Sequence, residues 1–285
     1  SKKQWQVKQR RRCKDCIADN REVKLETSFD ATNVPLPPSM SCTDGVCAPD
    51  WTDEDLFKQP PPNEECPICM LQLPLSKRGE SYYSCCGKVV CCGCSYAAFK
   101  EDNRRLCPFC RGPQRISLGE QIERIKKRAE SGDADGMHHL AGFYRDGDMG
   151  LPKDYDKAIE LYLRAGELGN ATAYYNIGVA YYNGQGVARD RKKAKYYYEL
   201  GAMGGSVISR HNLGHIEKDE DVKRAMKHWM IAAGAGYDLS LAAIRECFVN
   251  GHATKADFER ALRAHKESKD EEKSDQREAA ATFFP

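Results

Sequence analysis

The stretch ADGMHHLAGFYRDG (134–147) returns 37 positions later as ATAYYNIGVAYYNG (171–184), and NATAYYNIG (170–178) returns 36 positions after that as SVISRHNLG (206–214). The segments that follow each copy also align: DKAIELYLRAGELG (156–169), KKAKYYYELGAMGG (192–205), KRAMKHWMIAAGAG (223–236) and, more weakly, ERALRAHKES (259–268). Each of these places an alanine at 158, 194, 225 or 261, and a ring four residues on, at Tyr162, Tyr198, Trp229 or His265. Residues i and i+4 share a helix face, so small and large side chains would alternate along one packing ridge. A period of this length predicts a stacked solenoid of helical hairpins. Gly147, Gly184 and Gly186 fall in the turn after the first helix, and Gly169, Gly205 and Gly236 at the exit of the second, where a positive φ or a close approach is needed. Ala194 and Ala225 are only 31 apart, so the third unit has a shortened loop.

These residues resemble the Sel-one-like repeats, relatives of the tetratricopeptide repeat, over about 130–265. With the periodic helix LGEQIERIKKRAES (118–131) in front, the solenoid is expected to span 118–268. The last unit keeps Gly251, but His265 holds the ring position and the closing Ala-Gly pattern is gone, as suits a terminal cap. A charged tail is expected at 269–285.

The chain has 285 residues, 41% apolar and 30% charged, with a net charge of +2. No apolar run approaches the roughly 18 residues that a membrane helix needs, and no secretory signal is visible. The first residue is Ser1, which leaves room for a longer protein upstream. Charge is unevenly placed: 1–20 carries seven Lys or Arg against two Asp, and 22–65 carries two Lys against ten Asp or Glu. With prolines at 35, 37, 38 and 60–62 and few apolar pairs, 21–65 reads as a disordered acidic linker.

Nine of the 14 cysteines lie from Cys66 to Cys110, and none between Cys110 and Cys247. The paired spacings Cys66-x2-Cys69, Cys85-Cys86, Cys91-x2-Cys94 and Cys107-x2-Cys110 favour metal over disulfides, because two sulfurs of a C-x2-C turn converge on one ion. Four pairs give eight thiolates, enough for two tetrahedral zinc ions. Closed four-sulfur sites leave no position for water, so the zinc is expected to be structural. At on the order of 10–16 kcal/mol per site, it would replace the core that some 45 residues cannot build.

The cluster, opening on CPIC (66–69) and closing on CPFCR (107–111), resembles a RING finger over 66–111. The resemblance implies that the first and third pairs share one zinc (Cys66, Cys69, Cys91, Cys94) and the second and fourth the other (Cys85, Cys86, Cys107, Cys110). Lys88 stands where most such fingers have a histidine ligand, so the likeness is to the all-cysteine type, as in the ligase subunit of the Ccr–Not deadenylase complex. There the third and fourth ligands are one residue apart, whereas Cys85 and Cys86 are adjacent, which leaves Cys92 as an alternative ligand. The fold class expected is therefore a small zinc-stabilised α+β RING module followed by an all-α solenoid of helical hairpins, with a disordered N-terminal linker.

The resemblance implies a ubiquitin ligase that does no covalent chemistry itself and positions a ubiquitin-charged conjugating enzyme. Ile68 and Pro108 match the family's docking surface for that enzyme. Arg111, just after the last ligand, matches the basic residue that bridges enzyme and ubiquitin, a role suited to a guanidinium. Tyr96 or Phe99 could add an aromatic contact. The plainer readings are that Ile68 packs the zinc loop, Pro108 shapes a turn, Arg111 is a solvated charge, and Tyr96 and Phe99 are minor core.

The solenoid would then recruit a protein substrate or adaptor, with Tyr174, Tyr175, Tyr181 and Tyr182 divided between core and surface. The rival reading is a non-catalytic zinc-finger and solenoid scaffold. Membranes are not expected as partners, and nucleic acid has only the basic segment 1–20 to recommend it. That segment carries Cys13 and Cys16, read as a solvated tail, as half of a small zinc finger, or as a partner to Cys42 and Cys47. No P-loop, dinucleotide fingerprint or H-E-x-x-H is present. His138 and His139, the i, i+4 pair His211/His215 and Cys247 read as packing residues. The expected compartment is cytoplasmic or nuclear.

Overall fold

The computed structural model describes residues 40–43, 46–49, 51–61, 64–75, 79–101 and 106–283. The basic segment with Cys13 and Cys16 lies outside the described residues. Strands β1 (Met40–Thr43) and β2 (Val46–Pro49) pair antiparallel and precede a short helix, α1 (Asp53–Phe57). The cysteine module follows, with the antiparallel pair β3 (Glu80–Tyr83) and β4 (Lys88–Cys91) and then α2 (Cys92–Glu101).

The solenoid begins at α3 (Leu118–Glu130) and continues through α4 (Ala134–Asp146), α5 (Tyr155–Glu167), α6 (Ala171–Asn183), α7 (Arg191–Met203), α8 (Val207–Glu217), α9 (Val222–Gly234), α10 (Asp238–Val249) and α11 (Lys255–Glu271). Each hairpin is punctuated the same way. Asp133, Asn170 and Ser206 cap the first helices of successive hairpins, and Asp154, Asp190 and Asp221 the second, each side chain accepting a hydrogen bond from a first-turn N–H. Gly147 and Gly184 close α4 and α6 at φ of 70° and 73°, a left-handed conformation that suits glycine. In the shortened third unit α8 ends on Lys218 with no such glycine.

Ala158, Ala194, Ala225 and Ala261 are all buried, as are Tyr162, Tyr198 and Trp229. His265 departs from them: it is half-buried and bonds Asp238 at 2.9 Å. The rings find room because glycines at a matching interval face them. A Cβ on Gly178 would lie 2.5 Å from the Tyr198 ring, and one on Gly214 would lie 2.3 Å from the Trp229 indole nitrogen. Gly142 is looser, 3.6 Å from the Tyr162 hydroxyl.

Two segments differ from the sequence reading. Within the stretch read as a disordered linker, Leu56 of α1 is 1% exposed and belongs to the solenoid's main core. An amphipathic pattern of five residues is too short to stand out from a linker. At the other end, 275–283 of the segment read as a charged tail forms α12 (Asp275–Phe283), which packs on α2 of the cysteine module. Its buried residues are Arg277 and Ala280.

Between α7, α8 and α9 lies a buried ionic cluster. Glu217, 1% exposed, accepts bonds from Lys195 Nζ and Arg224 Nε, both at 2.9 Å, and lies 3.2 Å from His228 Nε2. Burial alone would raise its carboxyl, but His228, Lys195 and Arg224 hold it down at about 2. Burial pushes Glu199 the other way, up to about 7, against the opposing pull of Lys195 and the Trp51 indole.

Two outcomes are expected in thermal unfolding. Gly178→Ala should destabilise by about 1–3 kcal/mol, because overpacking against a fixed ring exceeds the roughly 1 kcal/mol gain in helix propensity. Gly142→Ala, where the contact is ordinary, should be neutral or stabilising; equal losses at both sites would refute the packing argument. For Glu199 the fold favours the protonated form. Its contribution is full below the usual 4.5 and is lost as pH rises through about 7. Glu217 acts oppositely, its contribution being lost only as pH falls from 4.5 through about 2. Buried His138 and His211, whose ionisation burial holds down, act in the opposite direction between pH 5 and 6.5, so the test is a difference: the wild-type melting temperature should fall relative to that of Glu199→Gln as pH rises from 5 to 8.

Candidate metal centres

Two loops of the cysteine module are built alike. In the first, the Met70 N–H bonds the Cys66 carbonyl at 2.9 Å, the Cys66 N–H bonds the Leu71 carbonyl at 2.9 Å, and Glu65 bridges Gln72. In the second, the Arg111 N–H bonds the Cys107 carbonyl at 2.9 Å, the Cys107 N–H bonds the Gly112 carbonyl at 2.8 Å, and Leu106 bridges Pro113. Met70 and Arg111 occupy equivalent places, with φ of 59° and 61°. Each loop folds the chain tightly enough to aim two sulfurs, from Cys66 and Cys69 or from Cys107 and Cys110, to the same side.

The other two pairs come from the hairpin and its exit. Cys85 and Cys86 sit in the turn between β3 and β4, which Gly87 completes at φ 67°. Adjacent residues of an extended strand point to opposite faces; in this turn both sulfurs reach one centre. Cys91 ends β4 and Cys94 lies in the first turn of α2.

The sulfurs converge in two groups, Cys66, Cys69, Cys91 and Cys94, and Cys85, Cys86, Cys107 and Cys110, with the ligand atoms of each within 4.8 Å of one another. The groups interleave along the chain, first pair with third and second with fourth. Cys92 belongs to neither. Cys69 and Cys91 are 3.8 Å apart, Cys86 and Cys107 3.7 Å, and Cys85 and Cys110 3.4 Å. These separations exceed the roughly 2.05 Å of a disulfide, and the ten cysteines from Cys66 to Cys247 are free. They approach the edge of about 3.8 Å of a sulfur tetrahedron with metal–sulfur bonds of about 2.3 Å. Either group could hold a metal ion.

Polar side chains from elsewhere support both groups. Gln114 donates to Cys85 Sγ at 3.3 Å, and Arg128 of α3 donates to the backbone carbonyls of Ser84 and Cys85 at 3.3 and 2.8 Å. Arg277 of α12 is buried beside the first group, with its guanidinium 3.9 Å from Cys69 Sγ and bonded to the carbonyls of Leu71 and Glu272. Burial alone would lower its ionisation, but the Cys91 and Cys69 sulfurs raise it. Four thiolates around a divalent ion leave a net negative charge, which Arg277 would offset. Burial, and then neighbouring Cys107, push the Cys86 thiol up to about 12 against a backbone N–H. For Cys66, backbone N–H groups overcome burial and lower it to about 7. Metal binding must therefore displace protons.

Of the remaining residues singled out in the sequence, Ile68 is 42% exposed, Arg111 is exposed and Pro108 is half-buried. Tyr96 and Phe99 face Phe283 of α12, ring centroids 5.0 and 5.8 Å apart. His211 bonds Ser240 at 2.9 Å and His215 at 3.1 Å, and the pair joins no metal-ligand cluster among the described residues. Tyr174 and Tyr181 are buried and Tyr182 is exposed. Sequence reasoning missed Arg277, Gln114 and Arg128. Arg277 lies 208 residues from Cys69 in a charged helix and carries no local signal.

Comparison with known proteins places the repeats in a class: the chain carries Sel1 repeats, with the Sel1 repeat family model matching 134–170 and 171–206. A curated relative, the ERAD-associated E3 ubiquitin-protein ligase component HRD3B of Arabidopsis thaliana, is 28% identical over 130 residues, 45% of this chain. The match spans only 20% of that relative's length. Among solved structures, a Sel1 repeat protein from Oxalobacter formigenes is 28% identical, covering 56% of this chain and 67% of its own, with a TM-score of 0.49. The protective antigen c5321 of uropathogenic Escherichia coli, which displays an SLR fold, is 27% identical, covering 53% and 33%, with a TM-score of 0.46. No helix among the described residues is long and apolar enough to cross a membrane.

Metal analysis by mass spectrometry tests the pairing. Cys66→Ser and Cys86→Ser should each remove about one equivalent of metal from the purified protein, and the double variant about two. Cys92→Ser should leave the content unchanged; loss of an equivalent in that variant would overturn the grouping.

Proposed function

We propose that this protein is a RING-type ubiquitin ligase in which two structural zinc ions shape the 66–111 module and the Sel1-repeat solenoid recruits a protein substrate or adaptor. The observation that carries the reading is the interleaved convergence of eight cysteines, first pair with third and second with fourth. A donor set of sulfur alone, in closed groups of four, suits zinc and leaves no site for metal-assisted hydrolysis. When bound, zinc supplies rigidity rather than reaction chemistry.

The residues around the two groups do the rest. Ile68 stands on the exposed side of the first loop, and Pro108 and Arg111 occupy the second, which is built like it. Ile68 and Pro108 offer an apolar footing to a conjugating enzyme. Arg111, held exposed by its left-handed backbone, offers a forked donor that could bond enzyme and ubiquitin together. Such a ligase accelerates transfer by fixing the thioester in one reactive pose. The relative in a ubiquitin ligase assembly agrees with this pathway. Cysteines held by zinc in place of disulfides fit a cytoplasmic or nuclear location.

A second reading has its own observation. The HRD3B relative is named as a ligase component, and the family match falls on the repeats alone, which favours a non-catalytic adaptor whose cysteine module is structural. One experiment separates the two: discharge of ubiquitin from a panel of charged conjugating enzymes onto free lysine. A ligase should stimulate discharge with at least one enzyme. Arg111→Ala and Ile68→Ala should each cut that stimulation about tenfold or more, at unchanged metal content. Absence of stimulation by folded, metal-loaded protein across the panel would favour the adaptor.

A further inference from the structure

The segment Trp51–Lys58 lies across α7, α8 and α9 as a ligand lies in a groove. Thr52 caps its single helical turn with a full capping box, and Asp53, Glu54 and Asp55 make that turn acidic. The Trp51 indole packs on Tyr196, centroids 5.2 Å apart, and donates to Glu199 Oε2 at 3.2 Å. Leu56 enters the core. The Phe57 ring lies 4.6 Å from the His228 ring and 5.1 Å from both the Arg224 guanidinium and the Lys227 ammonium. Arg224 also pairs with Asp53. Arg210, 2% exposed, donates to the backbone carbonyls of Leu56 at 2.9 Å and Lys58 at 3.3 Å, the C-terminal end of the turn.

Three features mark this as recognition of an exchangeable segment rather than a fixed strut. The buried guanidinium reads main-chain carbonyls at the end of a helical turn, a contact that tolerates other sequences. The cations Arg224 and Lys227 face an acidic first turn and both lie over the Phe57 ring, so charge and an aromatic anchor are read together. A helix of five residues cannot stand alone in water, so the segment is held by its few side-chain anchors and should open locally before the solenoid does.

Building on the reading of the solenoid as the recruiting half, we infer that the α7–α9 face is a binding groove for short acidic helical segments of partner proteins. In the free protein, residues 51–58 occupy it as an internal competitor. The partner segment would carry a capped acidic turn flanked by an aromatic residue before it and a Leu-Phe pair at its end. The competitor lowers apparent affinity in proportion to the fraction of time it is bound.

The test uses the full chain and a fluorescein-labelled peptide of residues 50–60, followed by fluorescence anisotropy. Wild type should bind weakly. Trp51→Ala/Phe57→Ala, which removes two anchors and spares the core residue Leu56, should bind at least about tenfold more tightly. Adding Lys227→Glu, or replacing Asp53, Glu54 and Asp55 of the peptide by lysine, should reverse that gain. If the released variant keeps a cooperative unfolding transition but does not bind the peptide, or binds it no better than wild type, the inference fails. Should the variant not fold, hydrogen exchange on wild type decides. Amides of 53–58 should exchange well before those of α7–α9 and faster still with excess unlabelled peptide; exchange only with global unfolding overturns the inference. No conjugating enzyme enters these measurements, so failure of the ligase reading would leave their outcome separate.

Discussion

The close seating of a ring on a glycine sets the geometry of this molecule. Gly178 and Gly214 admit Tyr198 and Trp229 to distances that any β-carbon would forbid, and so fix how nearly the two helices of a hairpin approach. Repeated at matching intervals, that approach propagates as a superhelix, since each hairpin contacts mainly its neighbours. Where the superhelix carries α7, α8 and α9 decides where Arg210, Glu217 and His228 face one another. Where it carries α3 and α12 decides what can brace the cysteine module.

The module depends on that bracing more than its size suggests. Its own buried apolar residues are few: Leu73 and Val90 beside the cysteines Cys66, Cys91 and Cys94. Arg128 of α3 ties down the turn that carries Cys85 and Cys86, and the Tyr82 ring stacks on His139 of α4 at 4.4 Å. On the other side α12 lays Arg277 against the first sulfur group and Phe283 against Tyr96 and Phe99. The module is thus held from both ends of the solenoid. Charge accounts for the choice of arginine: a guanidinium keeps its charge when buried and can bond carbonyl and sulfur acceptors together.

Much of this was legible in the residues. The solenoid could be read because helical hairpins are local objects, whose caps, glycines and alanine-ring ridges lie within one period. The cysteine pairs were legible for a related reason: the C-x2-C spacing of three of them encodes a tight turn, and four pairs have few ways to combine. Even so, adjacency of Cys85 and Cys86 left Cys92 open as a ligand. Only the turn closed by Gly87 brings both sulfurs to one centre, while Cys92 opens α2 outside either group.

What the sequence could not convey were the contacts between distant segments. Residues 51–58 sit in an acidic, proline-flanked stretch and look like linker. Their burial depends on a groove assembled from three helices about 150 residues away. Residues 275–283 look like charged tail, and their role depends on the superhelix returning α12 to the module. The sequence by itself determined the repeat, its period and the cysteine pairs, because those signals are written at short range in caps, turns and helix faces. Only the tertiary structure decided which segment fills the groove and which arginine faces the sulfurs, because such contacts arise from shape and charge complementarity that no local pattern records.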